Sequence, residues 1–366
     1  MRVYIGVDFH ARQQTVSYLT TEDGEIHQII LDHQKDDISG FYSQFEGEVV
    51  VGMEVSGCIE WFEEMLLRMG HEVWVGDAAE IRRRARRRQK NDKRDSMLIL
   101  DLMVKGEFPR VHRQTTESRQ VLKQLRYRHR LVKIRTIAKN NVQSLALSGG
   151  LLAKRQYIRK WREELRRLER EPMLGEQAKQ LVKVIEDVTV EIKRVEQWLG
   201  KQAEADQRVM LLQTHPGIGL LTSLVLVHTL WPVERFRNGR KVTAYLGMDP
   251  VEDSSADRIR IGSISKQGSR LARYLVIEAA STAAKFDKEL KCFYRRLMNR
   301  QGKPKAKVAV GRKLLVRCFI MLRDQIDYDE FLRRGVEVRS SRKATGPGMP
   351  EPVIGRPTSL KIERAN

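Results

Sequence analysis

The chain has 366 residues, with 68 Lys plus Arg against 47 Asp plus Glu, a formal net charge of +21 and a pI near 10.0. Such a surplus in a chain that is 41% hydrophobic points to a polyanionic partner, nucleic acid first. It also excludes two other classes. No apolar run reaches the roughly 20 residues that span a bilayer, and three scattered cysteines, Cys58, Cys292 and Cys318, build neither a disulfide framework nor a zinc site and read as small buried hydrophobes.

The N-terminus lacks the charged and apolar regions of a signal peptide, so a cytoplasmic location is expected. Residues 3–7, 15–20 and 26–31 are β-branched or aromatic runs separated by turn residues, and they predict a three-stranded antiparallel meander. A helix around 38–45 follows, then a continuous apolar strand at 49–53, of the kind buried on both faces of a mixed sheet. A helix at 59–69, a strand at 71–75 and a further helix complete the order of a ribonuclease H-like (RuvC-like) α/β domain.

Two acids sit at strand ends in that order: Asp8 closes the first strand and Glu54 the fourth. These strands are neighbours in a ribonuclease H-like sheet, so the carboxylates converge. Downstream, nine of the thirteen residues from Arg82 to Arg94 are Lys or Arg, and Arg83, Arg86 and Arg87 are candidates to grip a phosphate backbone. Asp92 and Asp95 end this run, three apart and therefore on one helix face. The plain alternative is that they neutralise neighbouring arginines on a solvated helix. Four converging acids instead repel unless cations neutralise them, and hard oxygen ligands suit Mg²⁺, with Mn²⁺ also possible.

From 117 to 147 the pattern is helical, with Val121, Leu125, Leu131, Ile134 and Ile137 on an apolar face. A second helical stretch, 157–168, precedes a Pro/Gly break, after which Leu181, Ile185, Val188, Ile192, Val195 and Leu199 form a heptad seam. These two stretches predict an antiparallel coiled-coil hairpin whose seam packs internally or against another protomer. Residues 211–230 read as helix, Gly-rich turn, helix, resembling a helix-hairpin-helix element, with Gly217 and Gly219 offering backbone N–H groups to phosphate. Ser254 and Ser255 lie in a polar loop, followed by Lys266 and Arg270, which can hold a phosphate. From 335 onward the composition predicts a disordered tail.

The segments VYIGVDFH, VVVGME, KNDKRDS, HPGIGLLTSL, FRNGRKVTAYLGMDP and GSISKQGSRLARYLVIEAA together resemble the insertion-sequence transposases with a DEDD catalytic domain, relatives of the Piv DNA invertase. The resemblance covers nearly all of residues 1–330. It implies a RuvC-like DEDD domain at 1–147 carrying Asp8, Glu54, Asp92 and Asp95, a coiled-coil hairpin at 148–205, and a mainly helical transposase domain at 206–334 with a nucleophilic serine. Counting from Leu246 to Pro250 places that serine at Ser255, with Ser254 as its rival, because Ser254-Ser255-Ala256 stands where the family has Ser-Gly. The activity implied is RNA-guided recombination through a phosphoserine intermediate. Its partners would be donor and target DNA, a noncoding bridge RNA, and further copies of the chain in a dimer or tetramer. Two rival readings are a RuvC-like structure-selective nuclease, in which the acids activate water, and a non-enzymatic basic nucleic-acid-binding protein.

Overall fold

A computed structural model describes residues 2–20, 24–57, 59–85, 92–150, 168, 172–252 and 261–335. It divides into two compact units, Met1–Arg113 and Gln114–Asn366. Among the described residues no helix is long and apolar enough to cross a membrane.

Unit 1 is built on a five-stranded mixed sheet. Strands β1 (Arg2–Phe9), β2 (Gln13–Thr20) and β3 (Ile26–Asp32) form the expected antiparallel meander. The chain then crosses through α1 (Ile38–Ser43) to β4 (Glu48–Glu54), and through α2 (Glu60–Arg68) to β5 (Glu72–Gly76). Both crossovers give parallel pairing, β1 with β4 and β4 with β5, so the order is β3-β2-β1-β4-β5. This arrangement is consistent with a ribonuclease H-like domain. Alternation along β1 sends Val3, Ile5 and Val7 to one face, where they join Val16, Val51, Met53, Tyr42, Phe62 and Leu66 in a core under α1 and α2. The opposite face carries α4 (Asp92–Val104), whose Ile99, Leu102 and Met103 pack with Val50 and Trp74. Gly6 and Gly52 are paired neighbours on this face, and α4 lies directly on both. A short helix, α3 (Ala78–Arg84), precedes α4 and starts at Asp77, whose side chain accepts from the amides of Ala79 and Glu80.

Unit 2 is helical. Its first helix, α5 (Thr116–Ser148), packs along α6 (Pro172–Glu204) over most of its length. Ala138, Val142 and Ala146 meet Leu174, Ala178, Leu181 and Ile185, while Val121, Leu122, Leu125 and Leu131 share a core with Ile192, Val195 and Leu199. Early residues of α5 thus sit against late residues of α6, an antiparallel hairpin. The heptad seam is therefore covered by α5 within one chain. By contact, α5 groups with the second unit. One expectation needs correction: its apolar stripe runs through Leu131, Ala138, Val142 and Ala146, leaving Ile134 and Ile137 exposed, because steps of seven and four stay on one face of a 3.6-residue helix. The stretch 157–167, the tail 336–366 and Cys58 lie outside the described residues. Cys318 is buried as expected, but Cys292 is exposed on its helix.

The remaining core of unit 2 is centred on α8 (Leu220–Leu230), where every residue from Thr222 to Leu230 is buried. Such an all-round apolar helix must be enclosed on all sides. It is surrounded by α5, α6, α7 (Gln207–Gln213), α10 (Arg270–Phe286) and α12 (Lys303–Asp324). Between them lie α9 (Gly239–Tyr245), the strand pair β6 (Pro250–Glu252) and β7 (Ile261–Ile264), and α11 (Lys288–Gln301). A buried ion pair ties the last helices together: Arg317 donates to Asp287 at 2.6 Å, and Asp287 also accepts from the Leu290 amide at 2.6 Å and from the Tyr328 hydroxyl.

Candidate active site

Strand alternation places Asp8 on the α4 face of β1, in line with Tyr4 and Gly6. His10 lies two residues further on and points the same way. Its Nε2 is 3.2 Å from Asp8 Oδ2 and 3.8 Å from Asp92 Oδ1. Asp8, His10 and Asp92 together offer three ligand atoms within 4.8 Å of one another. Burial pushes the Asp8 carboxyl above its ordinary value; His10 opposes that shift, while the charges of Asp95 and Asp92 reinforce it. The carboxylate is thus held where extra negative charge is costly, and a cation relieves the cost. Two carboxylates and an imidazole form a donor set that fits a divalent ion.

Asp92 and Asp95 reach this point because α4 begins there, with both acids in its first turn, where the helix dipole favours negative charge. A buried hydroxyl pair fixes that end of the helix. Ser96 Oγ lies 2.7 Å from Ser17 Oγ on β2; Gln28 on β3 donates to Ser17 Oγ at 2.9 Å and to the Lys93 carbonyl at 2.9 Å. Two strands and the helix are joined by these bonds within one turn of Asp92 and Asp95. Thr15, directly opposite Asp8 in the β1–β2 pairing, is fully buried, and its Oγ1 has no hydrogen-bond partner among the described residues.

Glu54 follows Met53, which pairs with Val7, so it stands beside Asp8 on the adjacent strand. Its Oε1 accepts from Arg82 Nη2 at 3.0 Å. Among the described residues it is not part of the close donor group. The four expected acids are therefore arranged as Asp8 with Asp92, Asp95 within electrostatic reach, and Glu54 adjacent but paired to a guanidinium.

The basic run is only partly described. Arg83 is exposed and pairs with Glu80 on its own helix, while Arg86 and Arg87 lie outside the described residues. In unit 2, Ser254 and Ser255 also lie outside them. The strands that enter and leave their segment are antiparallel, Pro250 opposite Ile264 and Glu252 opposite Ile261. Beyond β7, Ser265 donates to Asp249 at 2.7 Å and Arg273 reaches back to the Leu246 carbonyl at 3.0 Å and to the carbonyls of Gln267 and Gly268. Lys266 is held there at φ 58°, an uncommon conformation for a side-chain-bearing residue, with its amide bonded to the Gly247 carbonyl. Arg270 opens α10, capped by Ser269.

Gly217 has φ 91° and lies against the backbone of α10, where a Cβ would come 2.6 Å from the Ala283 nitrogen. Its glycine identity thus has a packing cause within unit 2. Gly219, by contrast, is exposed with open space around it and caps α8 without a side-chain bond. The adjoining His215 is buried, and burial, with Arg317 nearby, lowers its pKa to about 4 against the opposing pull of its Nδ1 contact with the Pro216 carbonyl.

Sequence reasoning missed His10, Thr15, Ser17, Ser96 and Gln28. For His10 a signal existed, a second ligand type two residues from a strand-end aspartate, hence on its face. No local pattern marks the others.

A cleft of about 760 Å³ in unit 2 runs between α5 and the start of α10. Arg126, Arg130 and Lys133 follow one face of α5 at steps of four and three, and Arg270 faces them. None of these four has an acidic partner within ion-pair distance among the described residues. The His129 ring lies against Tyr274, with centroids 5.2 Å apart and planes tilted by 52°, and burial together with Lys133, Arg128 and Arg270 lowers its pKa. Tyr274 is itself exposed.

Residues 5–148 match a family model for IS110-type DEDD domains, described as "Transposase". Residues 209–295 match one described as "Transposase IS116/IS110/IS902 family". Among curated proteins, the y4pF/y4sB protein of Sinorhizobium fredii is 26% identical over 238 residues, 64% of this chain and 61% of its own length. The transposase for insertion sequence element IS1111A of Coxiella burnetii is 27% identical over 236 residues, covering 61% of this chain and 64% of that protein. That for element IS1328 of Yersinia enterocolitica is 25% identical over 241 residues, 63% of this chain and 70% of that protein. The matched part of the chain thus spans about two thirds of the length of these relatives.

Proposed function

We propose that the chain, which matches a DEDD-domain model over residues 5–148 and an IS116/IS110/IS902-family model over residues 209–295, is a transposase of that kind that cleaves and exchanges DNA strands of its own mobile element. The observation that carries this reading is the convergence of Asp8 and Asp92, with Asp95 in electrostatic reach, at one end of a mixed sheet. Asp8, Asp92 and His10 would hold a divalent ion, with Glu54 and Asp95 flanking it. When bound, that ion supplies Lewis-acid polarisation of a phosphodiester oxygen.

The chain's own residues do the rest. Ser255 is the nucleophile, with Ser254 its rival. Its Oγ forms a bond to phosphorus as the P–O3′ bond breaks, the serine proton leaves to solvent or a nearby base, and the departing 3′ oxygen is protonated to a hydroxyl. Attack of a 3′-hydroxyl on the phosphoserine then restores a phosphodiester and the free serine, so no bond energy is lost. Arg273 and the Ser265–Asp249 bond stiffen the base of the serine segment. Arg126, Arg130, Lys133 and Arg270 grip a nucleic-acid backbone electrostatically, and Tyr274 presents a ring for base stacking. Lys266, Gly217, Gly219, Arg83, Arg86 and Arg87 add further backbone contacts. Target choice rests with a structured RNA from the element, which pairs with donor and target DNA, as base pairing does in other guided systems. Exchange between two DNAs requires at least two copies of the chain.

The test is strand cleavage of a plasmid bearing the joined element ends, with the element's flanking noncoding RNA and Mg²⁺ or Mn²⁺. Cleavage by the wild type and its loss in Asp8→Asn and Asp92→Asn are expected. Cleavage that persists in both variants would overturn the assignment.

A further inference from the structure

We propose that the centre at Asp8, His10 and Asp92 is a mixed nitrogen–oxygen site that selects Mn²⁺ and similar transition ions over Mg²⁺, with His10 Nε2 as the selecting ligand. This rests on the reading of Asp8 and Asp92 as metal ligands.

Geometry is the first support. A six-coordinate ion with bonds of about 2.1 Å places adjacent donors roughly 3.0 Å apart and opposite donors roughly 4.2 Å apart. The Nε2–Oδ separations of 3.2 and 3.8 Å, within a group spanning 4.8 Å, match that scale. One ion reaches all three atoms with small adjustments. The His10 ring is half-exposed and can turn, whereas Asp8 is fixed by its strand.

Donor chemistry is the second. Mg²⁺ favours oxygen ligands and keeps several waters, while imidazole nitrogen binds first-row transition ions progressively better along the series from Mn²⁺. Among the described residues the third donor that closes within 4.8 Å of the Asp8 and Asp92 carboxylates is the imidazole of His10, not Glu54 or Asp95, so the tightest donor group is a mixed one. Two carboxylates with a neutral imidazole also match the charge of one divalent ion.

Thr15 supplies a separate polar group at the site. Its hydroxyl is buried, unpartnered and on the Asp8 face, directly across the strand pair. Opposed residues on one face have Cβ atoms about 4.5–5.5 Å apart, so the hydroxyl is within reach of a water carried by an ion at Asp8. Such a water gives Thr15 the partner it lacks.

The experiment uses the full chain with Mn²⁺ alone as probe, following loss of the free-ion electron paramagnetic resonance signal, with Mg²⁺ as competitor. Wild type is expected to hold Mn²⁺ at least about tenfold more tightly than Mg²⁺, and pulsed spectra of bound Mn²⁺ should show coupling to a ¹⁴N nucleus. His10→Ala and His10→Gln should each weaken Mn²⁺ by about tenfold or more, move Mg²⁺ by less than about threefold, and abolish the nitrogen coupling. Thermal melting checks that both variants fold; should both fail to, the nitrogen coupling in the wild type decides. Bound Mn²⁺ without nitrogen coupling, or equal loss of both ions in the His10 variants, would overturn the proposal. A folded Asp8→Asn chain that binds both ions like the wild type would instead overturn the metal centre itself.

Discussion

Replacing Gly6 by alanine puts a methyl group against α4 at its closest approach to the sheet. The added Cβ would lie 2.5 Å from the Ser96 carbonyl oxygen, 2.6 Å from the Leu100 nitrogen and 3.0 Å from Leu100 Cα, all of them backbone atoms. No rotamer change relieves this, so the helix must retreat by about 0.9 Å to recover ordinary contact, and overpacking of that kind costs about 1–3 kcal/mol. For a unit of this size the melting transition should fall by roughly 5–15 °C. More telling is where the displaced residue sits. Ser96 is bonded to Ser17 and follows Asp95 directly, so a retreat there carries Asp92 and Asp95 away from Asp8. Gly52→Ala is the control, because the three atoms nearest its Cβ all belong to the Met103 side chain, whose thioether end is flexible, and none to backbone. Mn²⁺ titration by calorimetry is the assay. Gly6→Ala should lose about tenfold or more in affinity, since metal sites respond that strongly to disturbed supporting groups, and Gly52→Ala should lose little. Equal affinity in Gly6→Ala and wild type, with the melt lowered, would show that α4 does not set the site's geometry.

Two further outcomes follow from unit 2. His215 is buried with a pKa lowered to about 4, so the unfolded chain takes up a proton below about 6.5 while the folded chain does not. Its stability contribution is complete above about pH 6.5 and fades as pH falls toward 4; melting temperature against pH should therefore drop over that window in wild type and drop less in His215→Asn, whereas parallel curves would exclude His215 as the cause. For the cleft, Arg126→Ala, Arg130→Ala and Lys133→Ala together should weaken binding of a single-stranded oligonucleotide and lower the salt-dependence slope by about 2, near 0.7 per lost phosphate contact. An unchanged slope in filter binding would show that the cleft does not hold a backbone.

What the sequence discloses about this chain tracks the range of the forces involved. Alternation in β1 and the apolar run of β4 reveal both strands and the acids that end them, because side-chain direction in a strand is fixed locally. The heptad seam of α6 is equally legible, yet its partner is not: an apolar stripe states that it must be covered, not by which helix, and in the described residues α5 runs along it, with Leu168 in the same cluster. Helix drift over 33 residues likewise hid which of Ile134 and Ala138 faces inward. At the centre, Asp8 and Asp92 are brought together by long-range packing through Gly6 and the Ser17–Ser96 bond, which no local pattern encodes. Glu54 illustrates the limit in reverse, since adjacency to Asp8 follows from strand order but its pairing with Arg82 depends on a helix 28 residues further along the chain.

The most direct measurement joins the acidic centre to the serine segment: incubation of the chain with joined-end DNA, the flanking noncoding RNA and a divalent ion, followed by mass spectrometry of any DNA-linked peptide. The account predicts a phosphoserine adduct at Ser255, absent from Ser255→Ala and from Asp8→Asn. Cleaved DNA with no adduct, unaffected by Ser255→Ala and Ser254→Ala, would contradict it and identify a nuclease that uses water.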